Sequence, residues 1–205
     1  SHAVFIDCRT EHHELVPMPL EAVGLCLVVF DTGVKRELAA SPYNLRRRQV
    51  EEGARLIAAA LGDPRIHTLR DVSRKQMDAI RAALPTAIGE RCEYVVAENE
   101  RVIDAVRAMR VGDYSLLGEL MYRSHEGLRD LFEVSCPELN AAVQIARATP
   151  GVLGARMTGA GFGGCTVNLV MQEAVPALVS RLSALGFASS RAFLVSASDG
   201  GKVVE

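Results

Sequence analysis

The chain has 205 residues, of which 49% are hydrophobic and 23% are charged, and its formal net charge is −2. This length suits one domain, or one domain with a fragment of another, and it is sufficient to bury a sizeable core. Acidic and basic residues are interspersed and no apolar run is long enough to span a bilayer, so neither a nucleic acid nor a membrane is expected as a partner.

The cysteines indicate the redox environment of the protein, and the first residues indicate whether the sequence is complete at its start. The five cysteines are odd in number and show no C-x-x-C spacing, which is typical of a reducing, cytoplasmic environment. The chain does not begin with Met, and it opens almost at once on an apolar strand. We therefore expect that this sequence is part of a larger protein whose N-terminal portion is missing here.

Two strands are predicted near the start, at residues 3–8 and 23–30, and the second is a continuous apolar run of the buried type. The prolines within residues 16–20 predict an extended segment between them. His12 and His13 are expected on an exposed strand edge and not in a metal site, because no third ligand has suitable spacing.

Helices are predicted through the middle of the chain. Ser41 can cap a helix that has Pro42 at its first position and ends near Gly62. Ser73 and Gln76 have capping-box spacing, and Asp113 can cap a later helix. The predicted helices are listed here by residue number: 41–61, one from residue 73, 85–110, one from residue 113, 137–148 and 172–185.

A final strand is predicted at residues 192–195, after two strands that flank a glycine-rich loop. Strands at both ends with helices between them indicate the α+β class. We expect a small antiparallel sheet of the ferredoxin-like type, covered on one face by helices.

The glycine-rich segment, TGAGFGG at residues 158–164, is the most informative part of the chain. Gly159, Gly161 and Gly164 satisfy G-x-G-x-x-G, but a β-branched strand follows instead of a helix, which argues against a dinucleotide site. A Walker loop is excluded because no Gly-Lys-Ser/Thr follows. The segment is therefore a hairpin turn whose glycines either admit a ligand or permit close packing.

Several segments together resemble the galactokinase family, within the GHMP group of small-molecule kinases. They are TGAGFGG at 158–164, SPYNLRRRQ at 41–49, RCEYVVAEN at 91–99, SHEGLRD at 124–130, EVSCPEL at 133–139 and FIDCR at 5–9. The resemblance covers essentially the whole chain in collinear order. The family's first two motifs and its catalytic aspartate are absent, so the resemblance is to the C-terminal portion only.

The resemblance implies a domain division and an activity. Residues 1–22 would be a remnant of the N-terminal GHMP kinase domain, and residues 23–205 would form the C-terminal domain. The parent enzyme would transfer the γ-phosphate of ATP to the anomeric hydroxyl of D-galactose. Mg²⁺ and most of the nucleotide would be bound by the N-terminal domain, which is the expected partner, and this fragment alone would be inactive.

The resemblance also implies site residues. Tyr43 would contact the sugar, and the loop of Thr158, Gly159, Ala160, Gly161, Phe162, Gly163 and Gly164 would lie near the phosphate and the sugar. No catalytic group or metal ligand is identified, and His125 is expected to be structural. Arg156 could either face the cleft or brace the hairpin.

The basic run and the substrate leave further alternatives. Arg46, Arg47 and Arg48, followed by Glu51 and Glu52, predict a solvated, partly paired helix face. The alternative functions are a kinase for N-acetylgalactosamine or arabinose, and a non-catalytic sensor of galactose and ATP on the same fold. An isolated domain that binds another protein is a further, purely structural alternative.

Overall fold

The computed structural model describes residues 2–35 and 41–196, and the side chains of Ser41 and Pro42 are not described. The cap predicted for Ser41 and the helical start predicted at Pro42 lie outside the described side chains. The chain begins with strands β1 (His2–Asp7) and β2 (His12–Pro17), which pair antiparallel in a sheet of their own. The extended segment predicted around residues 16–20 is in part the end of β2.

A second sheet contains four strands: β3 (Leu25–Asp31), β4 (Val152–Met157), β5 (Cys165–Met171) and β6 (Arg191–Val195). Their order is β4-β5-β3-β6, and all neighbours are antiparallel. This is the ferredoxin-like arrangement, and it confirms the α+β class. The most apolar strand, β3, lies in the interior of the sheet, as expected for a run with few polar residues.

The described residues form six α-helices: α1 (Ser41–Leu61), α2 (Arg74–Ile80), α3 (Thr86–Val111), α4 (Tyr114–Asp130), α5 (Pro137–Arg147) and α6 (Val175–Ser183). The predicted end signals are present. Ser73 and Gln76 form a capping box at α2, and the Leu116 N–H donates to Asp113 at 2.9 Å. Gly112 ends α3 with a left-handed φ of 73°. None of the helices in the described ranges is long and apolar enough to cross a lipid bilayer.

The main core lies between one face of the four-stranded sheet and helices α5 and α6. Its buried residues are Cys26, Val28, Phe30, Ala142, Val143, Ala146, Ala155, Val170, Ala174, Leu178 and Leu182. The opposite face is also covered in part, since Leu25 and Leu169 pack with residues of α3 and α4. The sheet therefore has helices on both faces, and not only on the one face that the sequence pattern predicts.

Helix α4 lies directly on strand β4 because two glycines meet there. A Cβ atom built on Gly118 would lie 2.1 Å from the carbonyl oxygen of Leu153, and one on Gly154 would lie 2.4 Å from the Cα of Gly118. Only residues without a side chain permit this approach. The contact fixes α4 and the hairpin that follows β4 against each other.

The β1–β2 hairpin is attached to the helices largely through ion pairs. Arg70 pairs with Asp7 at 2.6 Å, Arg9 with Asp71 at 2.8 Å, and Arg110 with Glu14 at 2.6 Å. The side chain of Val16 is fully buried, whereas a row on the other face is exposed: Val4, Ile6 and Leu15. The hairpin thus presents an apolar face that no described residue covers.

Candidate functional site

The glycine loop joins β4 to β5 as predicted, and left-handed backbone dominates it. Positive φ values occur at Gly159 (78°), Gly161 (88°), Phe162 (60°), Gly163 (132°) and Gly164 (86°). The N–H of Thr158 donates to the carbonyl of Cys165 at 2.9 Å and closes the turn. Glycine supplies most of these conformations without steric cost, so the sequence allows a turn that other residues would strain.

The second half of the loop packs against two other segments. The Phe162 N–H donates to the Val134 carbonyl at 2.7 Å, and the Gly164 N–H donates to the Val34 carbonyl at 3.2 Å. A Cβ on Gly161 would lie 2.1 Å from the Val134 oxygen, and one on Gly163 would lie 2.7 Å from the Val34 oxygen. Close packing is therefore the reason for glycine at these two positions.

The first half of the loop is exposed to solvent. Thr158, Gly159 and Ala160 are exposed, and within the described part of the chain the N–H groups of Gly159 and Ala160 donate no hydrogen bond. Consecutive backbone donors without bulky side chains can bind an anionic oxygen. The loop thus combines a packed half with a solvent-exposed half in which the N–H groups of Gly159 and Ala160 point to no described acceptor.

The residues at and just after the end of β3 hold the glycine loop in place. Both the backbone N–H and the hydroxyl of Thr32 donate to the Gly164 carbonyl, at 3.0 and 2.8 Å, and Thr32 is 1% exposed. The Asp31 carboxylate accepts from the Gly33 N–H at 2.9 Å. Nothing in the local sequence pattern of this segment indicates its contact with Gly164, which lies 132 positions further along the chain.

Tyr43 lies in the first turn of α1, and its side chain is 56% exposed. One turn later, the Arg46 guanidinium donates to the Phe132 carbonyl at 2.6 Å and to the Glu133 carbonyl at 3.1 Å. Residues 131–134, which we call the connecting turn, therefore join the Tyr43 end of α1 to the glycine loop. The structure links the two predicted site regions through this turn.

Charged side chains hold the connecting turn. Glu133 accepts from Arg46 at 3.2 Å and also from Arg91 of α3, which in addition donates to the Leu131 carbonyl. The Arg46 and Arg91 side chains are only 12% and 3% exposed. Burial and the nearby Arg91 charge lower the pKa of Arg46, and Glu133 opposes this effect.

The prediction of a solvated face for the arginine run is wrong for Arg46. That side chain is largely buried against the connecting turn, whose residues lie 86 and 87 positions further along the chain. The prediction is confirmed for Arg47, which pairs with Glu51 at 2.8 Å. Helical spacing identifies partners on the same helix, but it gives no indication of a distant turn.

His125 has the structural role that was predicted. It is 1% exposed, and its Nδ1 accepts a hydrogen bond from the Met157 N–H at 3.3 Å. Burial lowers the pKa of His125 to about 4, so the imidazole is neutral at physiological pH. It therefore holds α4 against the strand that leads into the glycine loop.

Arg156 braces the hairpin. Its guanidinium contacts Glu98 of α3 at 3.3 Å, and Ser124 of α4 donates to the same carboxylate oxygen at 2.5 Å. His12 and His13 are exposed in β2. Within the described residues, no group of three or more His, Cys, Asp or Glu side chains could hold a metal ion.

Comparisons with known proteins agree with this architecture. Residues 103–189 match the family model described as GHMP kinases C terminal. The chain is 42% identical over 203 residues to a galactokinase from Bos taurus, covering 99% of this chain and 50% of that protein. It is 44% identical over 181 residues to a galactokinase from Chloroflexus aurantiacus, covering 88% of this chain and 45% of that protein.

Solved structures show the same relationship. The structure of Lactococcus lactis galactokinase complexed with galactose superposes with a TM-score of 0.86 at 31% identity, over 94% of this chain and 50% of that one. A homoserine kinase from Cytophaga hutchinsonii shares the fold at 14% identity with a TM-score of 0.55, over 94% of this chain and 47% of that one. The chain thus spans about half the length of the curated relatives it matches. The chain carries the C-terminal domain of GHMP kinases, and over nearly its whole length it is similar to the corresponding half of galactokinases.

Proposed function

We propose that this chain is the C-terminal part of a galactokinase. The full-length protein transfers the γ-phosphoryl group of ATP to the anomeric hydroxyl of D-galactose and releases galactose 1-phosphate. One observation carries the proposal: the Tyr43 end of α1 is linked through the connecting turn to an exposed, donor-rich half of the glycine loop. The similarity to a galactokinase that was solved with galactose supports it.

In this proposal the two regions have different ligands. The Tyr43 hydroxyl donates or accepts a hydrogen bond at a galactose hydroxyl while its ring lies against the sugar. The free N–H groups of Gly159 and Ala160 face anionic oxygens near the transferred phosphoryl group. Phosphoryl transfer depends mainly on such positioning and on neutralisation of charge, so residues of this kind contribute without reacting themselves.

ATP and Mg²⁺ are the cofactors that the proposal implies. The backbone donors of the loop fit a phosphate oxygen, but the described residues offer no group of side chains that fits a metal ion. Following the family resemblance, we assign the metal ligands and the catalytic base to the rest of the full-length protein. The chain on its own is then expected to show no phosphorylation of galactose.

The proposal includes the domain division. Residues 1–22 belong to the N-terminal domain and residues 23–205 to the C-terminal domain, in keeping with the separate sheet of β1 and β2. The exposed apolar row of Val4, Ile6 and Leu15 is then the surface that the remainder of the N-terminal domain covers. A cytoplasmic location is supported by the five free cysteines.

A Tyr43→Phe variant of the full-length protein tests the proposal. Loss of one neutral hydrogen bond costs about 0.5–1.5 kcal/mol, which corresponds to a rise of roughly 2- to 12-fold in the KM for galactose. The KM for ATP should stay within about twofold of wild type, because Tyr43 has no nucleotide contact in this proposal. Tyr122→Phe is the matched control, since the Tyr122 hydroxyl is buried without a partner in the described part of the chain.

Steady-state kinetics on a panel of sugars separates the alternatives. Equal losses for galactose and ATP would remove Tyr43 from the sugar site. Turnover of N-acetylgalactosamine or arabinose in place of galactose would change the assigned substrate. Binding of galactose and ATP by the full-length protein without turnover would instead indicate a sensor.

A further inference from the structure

The connecting turn contains an unusual residue at its centre. Glu133 is not a glycine, yet its φ is 51°, in the left-handed region that costs a non-glycine residue about 1–2 kcal/mol. The flanking residues are tied to α4, since the Leu131 and Phe132 N–H groups donate to the Gly127 carbonyl at 3.0 and 2.8 Å. The conformation at Glu133 is therefore imposed by its surroundings.

The buried guanidinium group of Arg91 and the largely buried one of Arg46 meet at the Glu133 side chain, which is itself about half exposed. One carboxylate oxygen, Oε2, accepts from Nη2 of Arg46 and from Nη2 of Arg91. Glu90 is the other carboxylate near Arg91, at 3.5 Å, and the Nε of Arg91 has no partner among the described residues. Removal of the Glu133 charge would leave Arg46 facing the like charge of Arg91, and Glu90 would be the acidic side chain that still contacts Arg91; this arrangement is unfavourable because both arginine side chains are largely shielded from solvent.

The same turn meets the glycine loop on its other side. The Val134 carbonyl accepts from Phe162 at 2.7 Å, and Gly161 packs so closely that a Cβ would lie 2.1 Å from that oxygen. A shift of the turn would therefore shift the loop. Arg46, by contrast, connects the turn to the first turns of α1, where Tyr43 lies.

We propose that Glu133 is a positioning residue for phosphoryl transfer, which fixes the glycine loop relative to Tyr43 by pairing with Arg46 and Arg91. The inference rests on the proposed function, because it takes Tyr43 and the loop as the two ligand-facing regions. Glu133 acts through its neighbours and touches no substrate. Small displacements of a group that binds a substrate are costly in catalysis, so the pairing should be visible in kinetics.

The experiment compares Glu133→Gln with Glu51→Gln in the full-length protein. Glu51 is a suitable control because it also pairs with an arginine of α1, Arg47, but on the solvent side. In Glu133→Gln we expect kcat/KM for galactose to fall at least fivefold at saturating ATP. We also expect faster hydrogen exchange in the peptide that contains Phe162, while Glu51→Gln should match wild type in both measurements.

The outcomes distinguish the inference from the proposed function. A Glu133→Gln protein with a lower melting temperature, but with unchanged kinetics per folded molecule and unchanged exchange at Phe162, would overturn the inference. If Glu133→Gln does not fold, Arg46→Lys replaces it: this change keeps the charge but loses the fork to Phe132 and Glu133, and unchanged kinetics and exchange would overturn the inference equally. A wild-type protein that fails to phosphorylate galactose contradicts the proposed function, and the exchange at Phe162 still decides whether Glu133 fixes the loop.

Discussion

Replacement of Gly161 by alanine tests why the loop needs glycine at its buried half. The backbone φ of 88° is strained for alanine, at a cost of about 1–2 kcal/mol. The new Cβ would lie 2.1 Å from the Val134 oxygen, whereas ordinary contact begins at 3.4 Å, so one segment must move by roughly 1.3 Å. Such a movement breaks the hydrogen bond between Phe162 and Val134, which contributes about 1 kcal/mol.

Backbone strain, the lost hydrogen bond and about 1–2 kcal/mol of overpacking together lower the free energy of unfolding by about 4 kcal/mol. Gly112→Ala is the matched control. Its φ is 73°, close to that of Gly161, but nothing lies within 4 Å of the position that its Cβ would take. This variant should therefore lose only the backbone strain of about 1–2 kcal/mol.

Urea unfolding of the two variants and the wild type, followed by circular dichroism, gives the comparison. The difference between Gly161→Ala and Gly112→Ala isolates the close approach to Val134. Equal losses, within about 0.5 kcal/mol, would refute the argument, because backbone strain alone would then explain the need for glycine in the loop.

Three further changes are informative. Burial lowers the pKa of His125 from 6.5 to about 4, so the folded state resists protonation and the free energy of unfolding falls as pH drops below 6.5; we expect a loss of roughly 2 kcal/mol at pH 5. If the free energy of unfolding of His125→Gln depended on pH as strongly as that of wild type, this prediction would be wrong. Gly118→Ala should destabilise the protein by about 2 kcal/mol in urea unfolding, because the new Cβ would collide with the Leu153 carbonyl, although the same change in an exposed helix stabilises by about 0.5–1 kcal/mol. A gain in stability would show that α4 can shift. Ala160→Asp places a negative charge beside the exposed loop donors, so the KM for ATP of the full-length protein should rise about tenfold, whereas the KM of Ala160→Ser should stay near that of wild type. Equal KM values for the two variants would show that ATP does not bind at this loop.

Local signals in the sequence predicted the elements well. The bounds of α1 and the caps at Ser73 and Asp113 follow from hydrogen bonds and conformations that involve only a few neighbouring residues. The glycine loop was predicted as a hairpin because glycine density and strand period are also local properties. The apolar run at residues 23–30 likewise predicted a buried strand, which the structure has at Leu25–Asp31.

The contacts that join these elements could not be predicted in the same way. Arg46 stands in a basic run that is typical of an exposed helix face, and its partner Glu133 is 87 residues away. Glu133 itself has no sequence feature that indicates a left-handed conformation, because glycine is the residue that ordinarily marks one. Periodicity describes which face of a helix is apolar, but it does not reveal which distant turn covers a charged side chain.

The strand order has a consequence for the way this molecule is made. Strand β3 is synthesised before both of its neighbours in the sheet, β5 and β6, and the paired residues Cys26 and Val170 are 144 positions apart. During translation this apolar segment has no strand to pair with until residues 165–195 have been made. The helices α1, α2 and α3 can pack around their own hydrophobic cluster before then. Premature termination before residue 165 would therefore leave an apolar strand with unpaired edges exposed, and such truncated products should depend on chaperones or aggregate.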